Sequence, residues 1–210
     1  QQDYKCRGFS GKIFMQMAPR VSVIIPLYNH AAYIRQAILS VANQTYKNIE
    51  LIIIDDGSKD NSADVAEAVL KEHPALQAQL HRQLNQGAHH TINLGLSKAT
   101  GDYLTVLNSD DFYHPERFEM CIAEMQKYGA ECAFSYVQHV DEAGAAVKPG
   151  DRRRAWYANS IAAENTAPSI SAQLMLGNIA VSSGNIIISR RLYEKLGGYR
   201  DFKLAHDWDM

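Results

Sequence analysis

The chain has 210 residues, of which 46% are hydrophobic and 21% are charged, values typical of a soluble globular protein. Its formal charge of −2 gives no overall electrostatic reason to expect nucleic acid as a partner. Three widely spaced cysteines without a Cys-x-x-Cys pair argue against a disulfide framework and against a structural zinc site. One large domain, or one domain with an appendage, is therefore expected.

The two ends of the chain differ from its middle. Residues 1–18 have no clear periodicity and are expected to be a tag, a linker or an upstream segment. No stretch approaches the roughly 18 apolar residues of a membrane span, and the first residues lack the order of a signal peptide, which predicts a cytoplasmic location. The last residues, KLAHDWDM, contain no helix-ending signal. We therefore expect residues 19–210 to form one domain with a truncated C-terminus.

From Val21 onward, short β-branched runs alternate with longer amphipathic stretches. The buried-strand candidates are VSVIIPLYN, ELIIIDDGS and DYLTVLNSDD, with QAQLHRQL as a weaker strand. The helix candidates are AAYIRQAILSVANQ, ADVAEAVLKEH capped by Asn61 or Ser62, HHTINLGLSKAT closed by Gly101, and PERFEMCIAEMQKYG with Pro115 in its first turn. This alternation predicts a mostly parallel sheet covered by helices on both faces.

After Tyr128 the pattern becomes less regular. CAFSYVQHV, the turn DEAG and AAVKP predict a strand and a turn, or a hairpin. DRRRAWYANSIAAENTAPS is polar and predicted to be irregular, and ISAQLMLGN predicts a short helix. SSGNIIISRRLYEKLGGY predicts a strand followed by a helix that ends at Gly197 and Gly198.

Two of the predicted strands end in polar clusters, IIIDDGS and LNSDD. In open α/β sheets, ligands bind in the crevice outside the carboxyl ends of the strands. The first cluster suits a turn and helix cap, or a carboxylate that accepts hydrogen bonds from the base or ribose of a ligand. In the second cluster Asp110 and Asp111 repel each other, and a divalent cation such as Mg²⁺ or Mn²⁺ relieves that repulsion. The alternative is that one of these two residues caps the helix at Pro115.

Two other segments have more than one interpretation. Arg152–Arg154, followed by Trp156, suit a solvated basic patch, or a loop whose guanidinium groups bind phosphate while the indole stacks on a sugar or base. Near the end of the chain, Asp207 and Asp209 suit a solvated helix start, or two carboxylates with different functions.

Taken together, the segments resemble the family 2 inverting glycosyltransferases. The matching stretches are VSVIIPLYNHAAYIRQAILSVANQTYKNIELIIIDDGSKDNS, NQGAHHTINLGLSKATGDYLTVLNSDD and GGYRDFKLAHDWDM. The resemblance implies the GT-A fold, a Rossmann-like, mostly parallel central sheet flanked by helices, with a small antiparallel element in the second half. It also implies inverting transfer of a sugar from a nucleotide-sugar donor to a hydroxyl acceptor, assisted by Mg²⁺ or Mn²⁺.

The resemblance extends to individual positions of the donor site. Pro26, Tyr28 and Asp56 resemble positions that hold the base and ribose of the donor. The resemblance favours a UDP-sugar, although the residues alone do not decide between UDP, GDP and dTDP.

The resemblance also implies a metal ligand and a catalytic base. Asn108 and Ser109 stand with Asp110 where the family has its Asp-x-Asp motif, so Asp110 resembles the metal ligand. Asn108 replaces the commoner Asp and removes one negative charge. Asp207 resembles the catalytic base, with His206 in place of the usual Glu.

The implied setting is polysaccharide or cell-envelope glycan synthesis. The acceptor would be a saccharide or a lipid-linked saccharide, with peripheral contact at the inner face of the membrane and no nucleic acid partner. A non-catalytic module that binds nucleotide sugars is the first alternative. A sugar nucleotidyltransferase needs a Gly-rich basic loop after the first strand, and a dehydrogenase needs Gly-x-Gly-x-x-Gly there. PLYNHAAYIRQ contains neither pattern.

Overall fold

The computed structural model describes residues 18–148, 150–162 and 180–201. Within them, six strands form one sheet in the order β3-β2-β1-β4-β6-β5. The strands are β1 (Val21–Leu27), β2 (Ile49–Asp55), β3 (Gln77–Arg82), β4 (Tyr103–Val106), β5 (Cys132–Phe134) and β6 (Ile186–Ser189). The first four run parallel, whereas β6 is antiparallel to both of its neighbours, β4 and β5. The predicted mostly parallel sheet with a small antiparallel element is thus confirmed.

Helices cover both faces of this sheet. They are α1 (Ile34–Ala42), α2 (Ser62–Glu72), α3 (Ala88–Lys98), α4 (Arg117–Tyr128), α5 (Arg152–Ala162) and α6 (Arg190–Leu196). Residues Val23 and Ile25 of β1 pack in one apolar cluster with α1, α2 and α4, whereas Ile24 packs in a second cluster with α3. All three side chains are fully buried, and each such burial stabilises the fold by roughly 1.5–3 kcal/mol. In the part of the chain that is described, no helix is long and apolar enough to cross a membrane.

A glycine lets α3 lie close against β1. A Cβ atom at Gly95 would stand 2.4 Å from Cγ2 of Ile24, closer than two carbon atoms can approach. The absence of a side chain at this position therefore allows the close contact. This packing places the first turn of α3 at the carboxyl edge of the parallel strands.

The segment 151–162 was predicted to be irregular, and this prediction is wrong. It forms α5, because Arg and Ala favour helix and because Tyr157 anchors it. Tyr157 is only 8% exposed, and its hydroxyl accepts a hydrogen bond from the backbone N–H of Val137 at 2.9 Å. A polar surface helix has little apolar periodicity, so the sequence pattern concealed it. The helix predicted over ISAQLMLGN lies outside the described residues.

Two predicted helix boundaries also differ from the structure. The helix α4 begins at Arg117 with Glu116 at the N-cap position, so Pro115 precedes its first turn. The helix α3 ends at Lys98 rather than at Gly101. Gly101 is required for a different reason, since a Cβ there would lie 2.6 Å from the hydroxyl oxygen of Ser22.

The ends of α2 and α6 are formed by local side-chain and backbone features. Asn61 occupies the N-cap position of α2 but makes no side-chain cap bond. The carboxylate of Asp60 instead accepts the backbone N–H of Ser62 at 3.0 Å. As predicted, α6 ends at a glycine, Gly197, whose φ of 85° lies in the left-handed region.

Candidate active site

The carboxyl ends of β1, β2 and β4 surround a cleft of about 360 Å³. Because β1 lies between the other two strands, groups that follow β2 and β4 are separated by two strand spacings, roughly 10 Å. A ligand in this cleft can therefore contact the two polar clusters at different points along its length.

Six of the residues predicted from sequence line this cleft together. They are Pro26, Tyr28, Asp56, Asn108, Ser109 and Asp110. The common location agrees with the expectation that both polar clusters face one crevice, while the role of each residue stays a prediction. Asp207, the predicted catalytic base, lies outside the described residues.

Asp56 is a buried carboxylate on the wall of the cleft, with only 4% of its surface exposed. Its Oδ1 atom accepts hydrogen bonds from Nε2 of Gln83 at 2.7 Å and from the backbone N–H of Gln86 at 2.8 Å. Its Oδ2 atom accepts the backbone N–H of Gly87 at 2.9 Å. Three donors thus compensate for removing this carboxylate from water.

The loop between β3 and α3, residues 83–87, contributes Asn85 and Gly87 to the wall of the cleft. Besides its bond to Asp56, Gln83 donates to Oγ1 of Thr91 at 3.0 Å, and the Thr91 hydroxyl donates to the carbonyl of Gly87 at 2.8 Å. Gly87 has a φ of 90°, which allows the chain to turn into α3. The only sequence signal was the glycine before the helix, because nothing in the spacing of Gln83 and Thr91 relates them to Asp56.

The loop after β1 forms a second wall. Tyr28 lines the cleft and is 41% exposed, so its ring is a surface on which a planar base can stack. Asn29 has a φ of 53°, in the left-handed region that Asn tolerates better than most residues. Its side-chain oxygen accepts the backbone N–H of Lys59 at 2.7 Å, and its own N–H donates to Oγ of Ser58 at 3.0 Å. The loops after β1 and β2 are thereby joined.

His30 is a further wall residue that sequence reasoning missed. Its Nδ1 atom lies 2.7 Å from Oγ of Ser109, which is 3% exposed. Its backbone N–H donates to Oγ of Ser62 at 2.8 Å. His30 therefore connects the loop after β1 with the loop after β4. It follows the PLYN segment directly, but no spacing in the sequence relates it to Ser109.

The structure explains why Asn, rather than Asp, stands at position 108. The Asn108 amide donates to the carboxylate of Asp111 at 2.9 Å, and the Asp111 N–H donates to the Asn108 carbonyl at 3.1 Å. An Asp at 108 would place two carboxylates at this distance, where they repel. The alternative that Asp110 or Asp111 caps the helix at Pro115 is wrong, because Glu116 holds the N-cap position of α4 and the N–H of Phe118 in the first turn is accepted by Oε1 of Gln44 at 3.3 Å.

The carboxylate of Asp110, at the end of β4, fits one ligand position of a divalent cation. Asp110 is exposed at the cleft, and none of the described residues hydrogen-bonds its carboxylate. Across residues 18–148, 150–162 and 180–201, no three His, Cys, Asp or Glu side chains are placed to hold a metal ion. One carboxylate with phosphate oxygens and waters is nevertheless a usual set of ligands for Mg²⁺.

Arg152, Arg154 and Trp156, at the start of α5, are not among the described residues that line this cleft. Arg152 and Arg154 are exposed, and Trp156 is 47% exposed. The structure therefore does not bring these side chains together with the six predicted residues, which disfavours a direct contact between Trp156 and a base bound in the cleft.

A mostly parallel sheet with polar side chains at a crevice beyond its strand ends is typical of α/β proteins that bind a ligand at that edge. Comparison with known protein families identifies the family within this class. The model of glycosyl transferase family 2 matches residues 22–197. The chain therefore belongs to glycosyl transferase family 2.

Curated bacterial relatives agree with this assignment. An uncharacterized glycosyltransferase of Rickettsia prowazekii is 30% identical over 199 residues, which cover 92% of this chain and 58% of the relative. Glycosyltransferase GlyG of Streptococcus pneumoniae is 32% identical over 126 residues, or 60% of this chain and 42% of GlyG. The chain thus spans about half the length of the curated relatives it matches.

Solved structures show the same fold. S. aureus TarS superposes with a TM-score of 0.67 at 19% identity, covering 90% of this chain and 52% of the TarS chain. The mannosyltransferase PcManGT of Pyrobaculum calidifontis superposes with a TM-score of 0.64 at 24% identity, covering 91% of this chain and 50% of the other. The chain has the GT-A fold of these proteins.

Proposed function

We propose that the chain transfers a sugar from a nucleotide-sugar donor to a hydroxyl group of a saccharide acceptor, with inversion at the anomeric carbon. The observation that supports it is the cleft itself, which has the buried carboxylate of Asp56 in one wall and the exposed carboxylate of Asp110 in another. The two follow strands that are two spacings apart, so one extended ligand can present its base to the first and its diphosphate to the second.

In this proposal the base and ribose of the donor bind at Pro26, Tyr28 and Asp56, with a diphosphate at Ser109 and Asp110. TarS was solved in complex with UDP-GlcNAc, and PcManGT in complex with GDP-Man and Mn²⁺. These complexes support a nucleotide-sugar donor here, and Mg²⁺ or Mn²⁺ at Asp110. A divalent ion at that carboxylate would offset the charge that develops on the leaving diphosphate.

Asp207 is the catalytic base of the proposal, on the strength of its place in the HDWD segment. Its carboxylate takes the proton of the acceptor hydroxyl while that oxygen attacks the anomeric carbon from the face opposite the nucleoside diphosphate. The new bond joins the acceptor oxygen to the sugar, and the bond to the phosphate oxygen breaks, which releases the nucleoside diphosphate. Attack from the opposite face produces the inversion.

The proposed setting is polysaccharide or cell-envelope glycan synthesis in the cytoplasm, with a lipid-linked saccharide acceptor at the inner face of the membrane. The resemblance of the motifs to this family supports it.

The donor site is tested by thermal unfolding with UDP-, GDP- and dTDP-sugars, each with and without Mn²⁺. A ligand present at 100 times its Kd should stabilise the chain by about 2.7 kcal/mol. If none of these nucleotide sugars stabilises the chain, the donor site is wrongly assigned.

The base is tested by Asp207→Ala, with Asp209→Ala as the matched control. Asp207→Ala should lower the rate of transfer by roughly 10²-fold or more while stabilisation by the donor survives. Transfer at the wild-type rate would contradict the role of Asp207. Donor binding without transfer by the unsubstituted chain would favour the non-catalytic module.

A further inference from the structure

The hydrogen bonds around Asp56 limit what its carboxylate can still accept. A carboxylate offers about four lone-pair positions, two on each oxygen. Gln83 and the N–H of Gln86 occupy both positions of Oδ1, at 2.7 and 2.8 Å. The N–H of Gly87 occupies one position of Oδ2, at 2.9 Å. Among the described residues no other group donates to Asp56, so one position on Oδ2 is left for a ligand in the cleft.

This arrangement of donors is fixed by its neighbours. The Nε2 atom of Gln83 lies between Asp56 and Oγ1 of Thr91, whose own proton is donated to the carbonyl of Gly87. Turning the Gln83 amide over would set its oxygen against the carboxylate and against a hydroxyl whose proton is already used. The other two donors are backbone groups, and the N–H of Asp56 itself donates to the carbonyl of Leu27 in β1 at 2.8 Å.

The nucleobases differ in the number of hydrogens they present to a carboxylate. Uracil and thymine have a single N–H, on the ring, on the edge that faces such an acceptor. Guanine has a ring N–H beside an amino group, and adenine and cytosine each have an amino group with two hydrogens. A single free acceptor position therefore satisfies the edge of uracil or thymine, which presents one hydrogen, but not the edges that present two. A buried donor that is left without an acceptor weakens binding by about tenfold or more.

The fold alone does not choose the base, because TarS was solved with UDP-GlcNAc and PcManGT with GDP-Man, and both superpose on this chain. We propose that Gln83 and the loop 83–87 set the donor specificity of this chain, by leaving Asp56 one acceptor position that suits uracil or thymine and rejects guanine. The inference rests on the proposed function, since it requires the base to bind at Asp56. Gln83 acts as a positioning and specificity residue rather than as a catalytic one.

Isothermal titration of the 210-residue chain with UDP, dTDP, GDP, ADP and CDP, in the presence of Mn²⁺, tests the inference. UDP and dTDP should bind at least about tenfold more tightly than the other three. GDP, ADP or CDP binding as tightly as UDP overturns the inference on base specificity and leaves sugar transfer standing. Binding of none of the five overturns both.

The substitution Gln83→Leu tests whether Gln83 sets the base specificity. It removes one of the two donors to Oδ1, so the carboxylate of Asp56 then has a second acceptor position, which the paired donors of guanine require. The ratio of the GDP Kd to the UDP Kd should fall by about tenfold. Gln79→Leu is the matched control, because Gln79 is exposed on β3, the strand that precedes Gln83, and contacts His81 rather than the cleft. If Gln83→Leu leaves this ratio unchanged, the proposed role of Gln83 is wrong. If the variant does not fold, the titration of the unsubstituted chain with the five nucleotides still tests the base specificity.

Discussion

Glu50 is a buried carboxylate at the edge of the sheet opposite the cleft, and its replacement by Gln should lower stability without changing nucleotide binding. It is 5% exposed and accepts hydrogen bonds from the hydroxyl of Ser22 at 2.5 Å and the N–H groups of Thr100 and Gly101 at 2.6 and 3.1 Å. The guanidinium of Arg20 lies 3.3 Å from its other oxygen. These contacts join β1 and β2 to the connection between α3 and β4.

The size of the effect follows from these contacts. Glu50→Gln replaces one acceptor oxygen by an N–H₂ group in a site surrounded by donors, so at least one buried donor loses its partner. Hydrogen bonds to a charged group contribute about 1.5–3 kcal/mol each. We expect the free energy of unfolding to fall by about 3 kcal/mol, which lowers the Tm by roughly 6–12 °C for a chain of this length.

The loss should depend on pH. Burial by itself raises the pKa of Glu50, but the hydrogen bonds from Ser22 and Thr100, together with the charge of Arg20, lower the pKa further than burial raises it. A carboxylate whose pKa is lower in the folded state stabilises the fold fully above its unfolded pKa, about 4.3, and loses that contribution as the pH falls through the folded pKa. The Tm difference between the chain and Glu50→Gln should therefore be largest near pH 7 and shrink below about pH 4.

Thermal unfolding at pH 7 and at about pH 3.5, with titration of UDP at pH 7, measures both parts of this prediction. Glu124→Gln is the control, because Glu124 is exposed on α4 and its change should stay within about 0.5 kcal/mol. A wild-type Tm for Glu50→Gln at pH 7, or the same Tm loss at both pH values, would refute the reasoning. If the folded Glu50→Gln variant binds UDP more weakly than the unsubstituted chain at pH 7, the opposite edge of the sheet takes part in binding.

Three further substitutions test the packing and the end of β4. Gly95→Ala should lower the free energy of unfolding by about 1–3 kcal/mol in urea, because its Cβ would stand 2.4 Å from the fully buried Ile24; an unchanged midpoint contradicts the packing. Asn108→Asp should lower the Tm in EDTA, since it sets a second carboxylate beside Asp111, and Mn²⁺ should restore it; equal Tm values in EDTA contradict this account. Asp110→Asn should remove the Mn²⁺-dependent part of the thermal stabilisation by UDP, and its persistence would show that another group holds the ion.

The central strands could be predicted because their burial pattern leaves a clear mark in the sequence. In β2, whose sequence is IELIIID, every residue is buried. Its apolar residues form an almost continuous run instead of alternating with polar ones, as a strand covered on both faces requires. The helix α5 gives the opposite case, since a polar helix anchored by Tyr157 lacks the period on which such a prediction depends. Boundary errors at Pro115 and Gly101 arose because both residues suit several local structures, and only the neighbouring packing decides between them.

The candidate site was predictable where its residues follow strands. Asp56 and Asp110 belong to the polar clusters that follow apolar runs, so parallel pairing brings them to one edge of the sheet. Gln83 and His30 reach the same cleft through loops, and their partners lie far along the sequence, at 27 positions from Gln83 to Asp56 and 79 positions from His30 to Ser109. Such contacts depend on how the strands are ordered in the sheet, which residue spacing does not reveal.

Glu50 and Asp56, two of the buried carboxylates near the ends of β2, show how structure separates a stabilising group from a candidate binding group. Glu50 and Asp56 are almost equally buried, and each accepts at least three hydrogen bonds. Both oxygens of Glu50 are used within the fold, because Oε1 receives the donors of Ser22, Thr100 and Gly101, and Oε2 faces Arg20 and the Thr100 hydroxyl. Asp56 lies instead at the carboxyl edge, borders an open cleft and keeps one acceptor position. Free acceptor capacity at a cleft, rather than burial or charge, is therefore the property that favours binding by Asp56 and structural stabilisation by Glu50.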